Sequence, residues 1–254
     1  MKSVSIVYIV ILFFIGQDLF AQNNPNEFQE EKPILLKNEA SFGIIIHSNG
    51  FGIEGKRCYQ KTYNRKLVLE SQLVGMKHPK EIKSINPRFQ NPKSFIYGKM
   101  NTLTILRLAV GEQRILYSKA ERTGVEVRFN YLGGLSLGFA KPVYLLIDRS
   151  DTQNLDASLI AEKYDPNNEY QNDLRNIAGR ASFTLGLDQL KPFPGLFTKA
   201  GFNFEYAPYH EDIKSLEVGV AMDIYGKEIP IMAFTKNKQI FLSFYITFIY
   251  GQKW

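Results

Sequence analysis

Residues 240–251 read Ile-Phe-Leu-Ser-Phe-Tyr-Ile-Thr-Phe-Ile-Tyr-Gly, and their alternation decides the fold. Ile240, Leu242, Phe244, Ile246, Phe248 and Tyr250 share one face of an extended strand, and Phe241, Ser243, Tyr245, Thr247, Ile249 and Gly251 share the other. One face is wholly apolar and the other is mixed and partly small, which suits a strand between lipid and a lumen. The run covers about 11 residues, the length that a tilted membrane strand needs.

Three further stretches repeat the pattern. Val125, Val127, Phe129 and Tyr131 alternate with Glu126, Arg128 and Asn130. Ala200, Phe202, Phe204 and Tyr206 alternate with Gly201, Asn203 and Glu205. Leu216, Val218, Val220, Met222 and Ile224 alternate with Glu217, Gly219, Ala221 and Asp223. A helix would put residues i and i+2 on different sides, so period two excludes buried helices here. Weaker strands are expected at 40–47, 51–60, 65–76, 95–110, 113–119 and 135–147. Asn49-Gly50 reads as a hairpin turn, and Tyr63-Asn64, Gly111-Glu112 and Gly133-Gly134 as short turns. The expectation is an all-β, antiparallel transmembrane β-barrel of about ten strands over 39–254, an even number. It becomes twelve if 180–187 and one more segment of the same loop are strands.

If the first strand starts on the periplasmic side, the longest connections, 77–94, 148–198 and 226–238, all fall outside, as long external loops do in such barrels. A soluble β-sandwich also alternates, with one face in its core. Aromatic content, the final strand and the asymmetry of loop lengths favour the barrel.

At the other end, Lys2 precedes an apolar run from Ile6 to Ile15, and Ala21 is a small residue before a plausible cut. Residues 1–21 therefore read as a secretory signal peptide, too short to span a bilayer. No cysteine lies near the cut, which excludes a lipoprotein anchor. Residues 22–38, polar and containing Pro25 and Pro33, read as a flexible periplasmic leader. No later segment has the unbroken apolar length of a membrane helix, so closed strands are the remaining way to satisfy a backbone in hydrocarbon.

The single cysteine, Cys58, cannot form an intrachain disulfide. The chain has 14 Tyr and 19 Phe and a formal charge of +6. The basic residues are scattered and the chain is exported, which argues against nucleic acid as a partner.

The last strand with its terminal aromatic residue resembles the C-terminal insertion signal of outer-membrane proteins. On that resemblance Phe244, Phe248, Tyr250 and Trp254 form the signal, and the partners are export and barrel assembly machinery and outer-membrane lipid. The stretches 97–101, 124–128, 133–138, 141–144 and 229–234 resemble porin-like outer-membrane β-barrel proteins of Bacteroidota. The resemblance implies fold and location, the cell outer membrane, and carries no catalytic residues.

Charges on the expected lumen faces are the best functional lead: Arg107, Glu126, Arg128, Lys199, Glu205, Glu217 and Asp223. In a narrow barrel opposite charges pair across the interior and close it, because an unpaired buried charge is costly. The long loop 148–198, containing Pro192-Phe193-Pro194-Gly195, is a candidate lid that folds inward or covers the mouth.

For hydrolytic chemistry, His47 at the outer end of the first strand needs a serine and an acid within reach. Ser48 points to the opposite face, while a cross-strand Ser41 or Ser243 stays open. His78 reads as a loop residue and His210-Glu211-Asp212 as a solvated turn. No metal, cofactor or catalytic set is expected. The apolar loop 229–234 suits either a partner or lipid contact, or packing against its own neighbours. The expected function is a non-enzymatic barrel: structural, a narrow channel, or part of a complex with another envelope protein. A rim enzyme acting on lipid or peptide and a soluble ligand-binding β-protein are the alternatives.

Overall fold

The computed structural model describes residues 38–89, 92–119, 124–149, 159–207, 209 and 211–254. The expected signal peptide, leader residues 22–37 and His210 lie outside the described residues.

Thirteen strands run in chain order: β1 Asn38–His47, β2 Gly50–Thr62, β3 Arg65–Met76, β4 Lys83–Ser84, β5 Phe95–Ile96, β6 Asn101–Tyr117, β7 Glu126–Pro142, β8 Tyr144–Asp148, β9 Leu159–Lys163, β10 Ile177–Arg180, β11 Lys191–Glu205, β12 Asp212–Ile229 and β13 Lys238–Lys253. A single-turn helix, α1, covers Glu169–Asn172. Eight of the strands close an antiparallel barrel in the order β1-β2-β3-β6-β7-β11-β12-β13, with β13 returning to β1. Ile44 sits opposite Phe248 on one side and Ile53 on the other, so no edge is left between the first and last strands.

The barrel thus has eight strands where the sequence suggests ten. Residues 101–110 and 113–117 of two expected strands are one strand, β6, and 126–131 and 135–142 merge into β7; 95–96 stands apart as β5, and 144–147 belongs to β8 of a separate sheet. Gly111 and the Gly133-Gly134 pair make no turn. Gly111 and Gly134 lie where β6 and β7 approach closely: a Cβ on Gly134 would stand 2.0 Å from the Leu108 carbonyl oxygen, and one on Gly111 2.1 Å from that of Tyr131. Glycine in a strand marks close backbone approach as readily as a turn.

Merging the strands also moves the 118–125 connection to the end where β1 begins and β13 finishes, together with 63–64 and 206–211. We refer to this as the turn end. The opposite, loop end carries the 48–49 hairpin and the segments 77–100, 143–190 and 230–237. The three longest connections therefore share one end.

Two expectations in the long loop change. The 180–187 segment is no barrel strand: Ile177–Arg180 joins β8 and β9 in a small three-stranded sheet, and turns follow. Pro192-Phe193-Pro194-Gly195 is no lid, because it belongs to β11 and pairs with β7 residues Phe139 to Ser136. Pairing of β11 with β12 begins only at Gly195, so both prolines occupy an edge, where a missing N–H is tolerated.

Alternation gives the barrel its two surfaces. Phe42, Ile44 and Ile46 of β1, Leu135 of β7 and Leu242, Phe244, Ile246 and Phe248 of β13 are exposed. The residues between them, including Glu39, Ile45, Arg128, Tyr245 and Thr247, are buried in the interior.

Candidate functional site

The interior is the only part of the fold where many functional groups converge among the described residues, and it is layered. In the middle, Glu54 and Lys56 of β2, Glu70 and Gln72 of β3, Lys199 of β11 and Glu217 of β12 all point inward. Lys199 Nζ meets Glu54 Oε2 at 3.0 Å, Glu70 Oε1 at 3.0 Å and Glu217 Oε1 at 2.9 Å. Lys56 Nζ faces the same three carboxylates, at 3.6, 3.2 and 2.7 Å. Glu217 is the best-held of the three. It also accepts from Tyr245 Oη at 2.9 Å and from Asn130 Nδ2 at 2.7 Å. Glu54 Oε1 keeps only the distant Lys56.

Towards the loop end, Arg107 of β6 binds Asp223 of β12 through two parallel bonds, Nε to Oδ1 at 3.0 Å and a terminal nitrogen to Oδ2 at 2.6 Å. Its other terminal nitrogen donates to Gln72 Oε1 at 2.9 Å, and the guanidinium lies 4.8 Å from the Phe197 ring centroid. The planar fork suits this bidentate geometry and the aromatic face.

At the turn end Arg128 is paired with Glu126 and Glu205, and with Glu39 at 3.5 Å. Lys66 is paired with Glu39, and Lys253 and Lys119 with Glu205. The central cluster sets three carboxylates against two ammoniums. The turn-end cluster sets three carboxylates against four cations, and the deficit of one layer is offset by the excess of the next.

All seven charged residues singled out in the sequence face this interior. Lys199 meets Glu217, Arg107 meets Asp223, and Arg128 joins Glu126 to Glu205; no single site collects all seven. Sequence reasoning missed Glu39, Glu54, Lys56, Lys66, Glu70 and Gln72, all on β1, β2 and β3. Outer-facing Arg57 and Ser71 blur the alternation there. Arg57 is accommodated outside by the Tyr59 and Trp254 rings, each centroid 5.5 Å away. Phe244, Phe248 and Tyr250 are exposed on the outer side of β13, and Trp254, just past its end, is exposed as well.

Above the charged layers the interior turns apolar. Met76, Leu103, Ile105, Tyr225 and Ile229 form one buried cluster with Ile231 and Met232 of the 230–237 segment. Phe234 is the one large apolar residue of that segment that stands exposed, so the apolar loop packs mainly against its own neighbours. A second cluster, with Phe95, Leu145, Ile147, Tyr164 and Ile177, binds the loop-end segments to each other. Burial pushes the Tyr164 hydroxyl up to about 12, so it stays neutral beneath the loops.

Among the described residues no hydrolytic set forms around His47. Its Nδ1 accepts from the Asn49 amide at 3.3 Å and its buried Nε2 meets neither serine nor carboxylate. The Ser243 hydroxyl donates to the Ala221 carbonyl. Ser41 pairs with Gly251 whereas His47 pairs with Tyr245, six residues and about 20 Å further along the strand. His78 Nδ1 accepts from the Lys80 amide in the first long loop. Among the described residues no group of three or more His, Cys, Asp or Glu could hold a metal ion.

No protein-family profile matches the chain, and no curated protein does. Solved structures resemble it, among them three at 9% identity. The attachment invasion locus protein Ail of Yersinia pestis, in complex with the heparin analogue sucrose octasulfate, aligns with 86% of this chain and 98% of its own at a TM-score of 0.40. Neisserial surface protein A aligns with 85% and 96% at 0.41. Another structure of Ail aligns with 86% and 95% at 0.38. Likenesses this distant bear on neither location nor function.

Proposed function

We propose that this chain is a β-barrel of a bacterial outer membrane with a filled, non-conducting lumen, serving as a non-enzymatic platform for its loop end. The observation that carries the reading is the inversion of polarity: paired charges inside, large apolar side chains outside. About twenty Leu, Ile, Val, Phe and Tyr side chains on the barrel's outer face stand more than a third exposed. Each leaves roughly 1 kcal/mol of burial unrealised in water. Together that is on the order of 20 kcal/mol, more than the roughly 5–15 kcal/mol by which a domain is stable. Lipid removes the deficit, and a soluble β-protein would carry it.

The same chemistry supports the filled lumen. Eight strands enclose a space that side chains can occupy fully. Here three layers of ion pairs lie under an apolar layer that includes Ile231 and Met232. The signal-like segment 1–21 and the aromatic outer face of β13 support delivery by the export and barrel assembly machineries. The loop end is the part left to contact another envelope component.

Planar-bilayer recordings of the refolded protein test the filled lumen, and silence is the expected result. Glu126→Gln and Arg128→Gln should lower resistance to heat in detergent without opening a conductance. If they change ion flow and leave heat resistance intact, the charges line a pore and the filled reading fails.

A further inference from the structure

Arg57 of β2 is exposed on the barrel's outer face, in phase with Ile53 and Gly55. Tyr59, two residues nearer the turn end, and Trp254 each bring a ring centroid to 5.5 Å from its guanidinium carbon. Tyrosine and tryptophan favour the boundary between membrane and water. Arg57 thus stands on the inner margin of that boundary, against the apolar belt. Ring faces answer its charge but offer no oxygen to its N–H donors.

Beside Arg57 the belt is hollowed. Phe42 pairs with Gly55, Gly55 with Ser71, Ser71 with Leu108 and Leu108 with Leu135, so these residues form one outward row across β1, β2, β3, β6 and β7. Phe42, Leu108 and Leu135 project from the row. Gly55 has no side chain, and a Cβ there would meet nothing within 4 Å. Ser71 next to it adds only a short hydroxyl. The row therefore sinks between Phe42 and Leu108 into a groove of about 790 Å³, which Arg57, Leu69 and Val110 line on the turn-end side.

A cation at the lipid boundary, a hydroxyl next to it and an apolar trough leading away are complementary to a phosphodiester joined through glycerol esters to acyl chains. Resting on the membrane reading above, we propose that this groove binds a glycerophospholipid of the leaflet at the turn end. Arg57 holds the phosphate through charge-assisted hydrogen bonds. Ser71 Oγ donates to an ester carbonyl, and an acyl chain lies over Gly55 between Phe42 and Leu108. Any lipid can fill a hollow by contact alone; the phosphate contact is what makes this one a site.

The test uses the full mature chain, folded in a non-ionic maltoside detergent and titrated with phosphatidylglycerol while bound lipids are counted by native mass spectrometry. Diacylglycerol with the same acyl chains, which lacks the phosphate, is titrated in parallel. The expected result is one phosphatidylglycerol held per barrel, with binding at least about tenfold weaker in Arg57→Gln and for diacylglycerol. A comparable loss is expected in Gly55→Leu/Ser71→Leu, whose side chains fill the trough. Unchanged binding by either variant, or equal binding of diacylglycerol, overturns the proposal. So does a dimer in the same spectra that the groove-filling variant breaks, because the groove would then be an interface between copies of the chain. The diacylglycerol comparison needs no variant, so it decides the phosphate contact even where a variant fails to fold. An unboiled gel sample separates the two readings: a heat-modifiable band with no phosphatidylglycerol binding sinks only this site, and loss of the band in the unaltered protein sinks the barrel itself.

Discussion

Glu217 shows how one side chain can hold an interior together. Its two oxygens accept from two ammoniums, a tyrosine hydroxyl and an asparagine amide, while Glu54 shares only Lys199 and Gln72 at 3.1 Å or less. Removing one partner of a buried ion pair costs about 3–5 kcal/mol, because the charge left behind has no solvent. Glu217→Gln should therefore lower the urea midpoint of the micelle-folded protein steeply, and Glu54→Gln should lower it far less or raise it. Equal losses would mean that the five charges act as an undifferentiated set. For the Arg107–Asp223 pair a double-mutant cycle is the measure. Arg107→Met and Asp223→Leu should each destabilise strongly, and the double variant should recover much of the loss, since a buried pair can be replaced by apolar groups at little net cost.

Among the strands, what was legible in the sequence followed the contrast between faces. β13, Lys238–Lys253, was readable over 240–251, nearly to its ends, whereas β12, Asp212–Ile229, was readable only over 216–224, where its faces contrast most. β2, Gly50–Thr62, was readable as a strand over 51–60, but its inward Glu54 and Lys56 were not, because Arg57 stands outward and is settled by Tyr59 and Trp254, which no local pattern reveals. The glycines of β6 and β7 misled for a related reason: only the neighbouring strand distinguishes a turn from a close approach.

That distinction can be tested. Gly134→Val puts a side chain against the Leu108 carbonyl and should abolish the folded, heat-modifiable form, whereas Gly55→Ala meets nothing within 4 Å and should be silent. A folded Gly134→Val protein would show that β6 and β7 are spaced more widely than described.

The sheet β8-β9-β10 gives a pH prediction. The hydrogen bonds from Arg149 hold the Glu162 carboxyl below its usual range. A depressed carboxyl contributes stability above its unfolded value, and loses it as pH falls through the folded one. The pair is partly exposed, so the effect is small and local. Amide exchange in 144–148 and 159–163 should quicken below about pH 4 while the barrel stays protected. Uniform exchange at all pH values would remove Glu162 from the account.

At the scale of the whole molecule, sequence periodicity indicated a closed barrel with inward charges, and the connectivity corrected its size. The interior could not be read further, because its contacts join residues far apart in the chain, such as Lys56 and Glu217. Which carboxylate meets which ammonium depends on strand order and stagger, and both follow from the number of strands. The central claim is that the barrel's outer face is covered by lipid. Its most direct test is fractionation of cells making the full chain, followed by a gel of unboiled and boiled membrane samples. The account predicts a membrane-bound protein whose unboiled band migrates apart from the boiled one. A protein recovered in the soluble fraction, with one band whether or not it is heated, would contradict it.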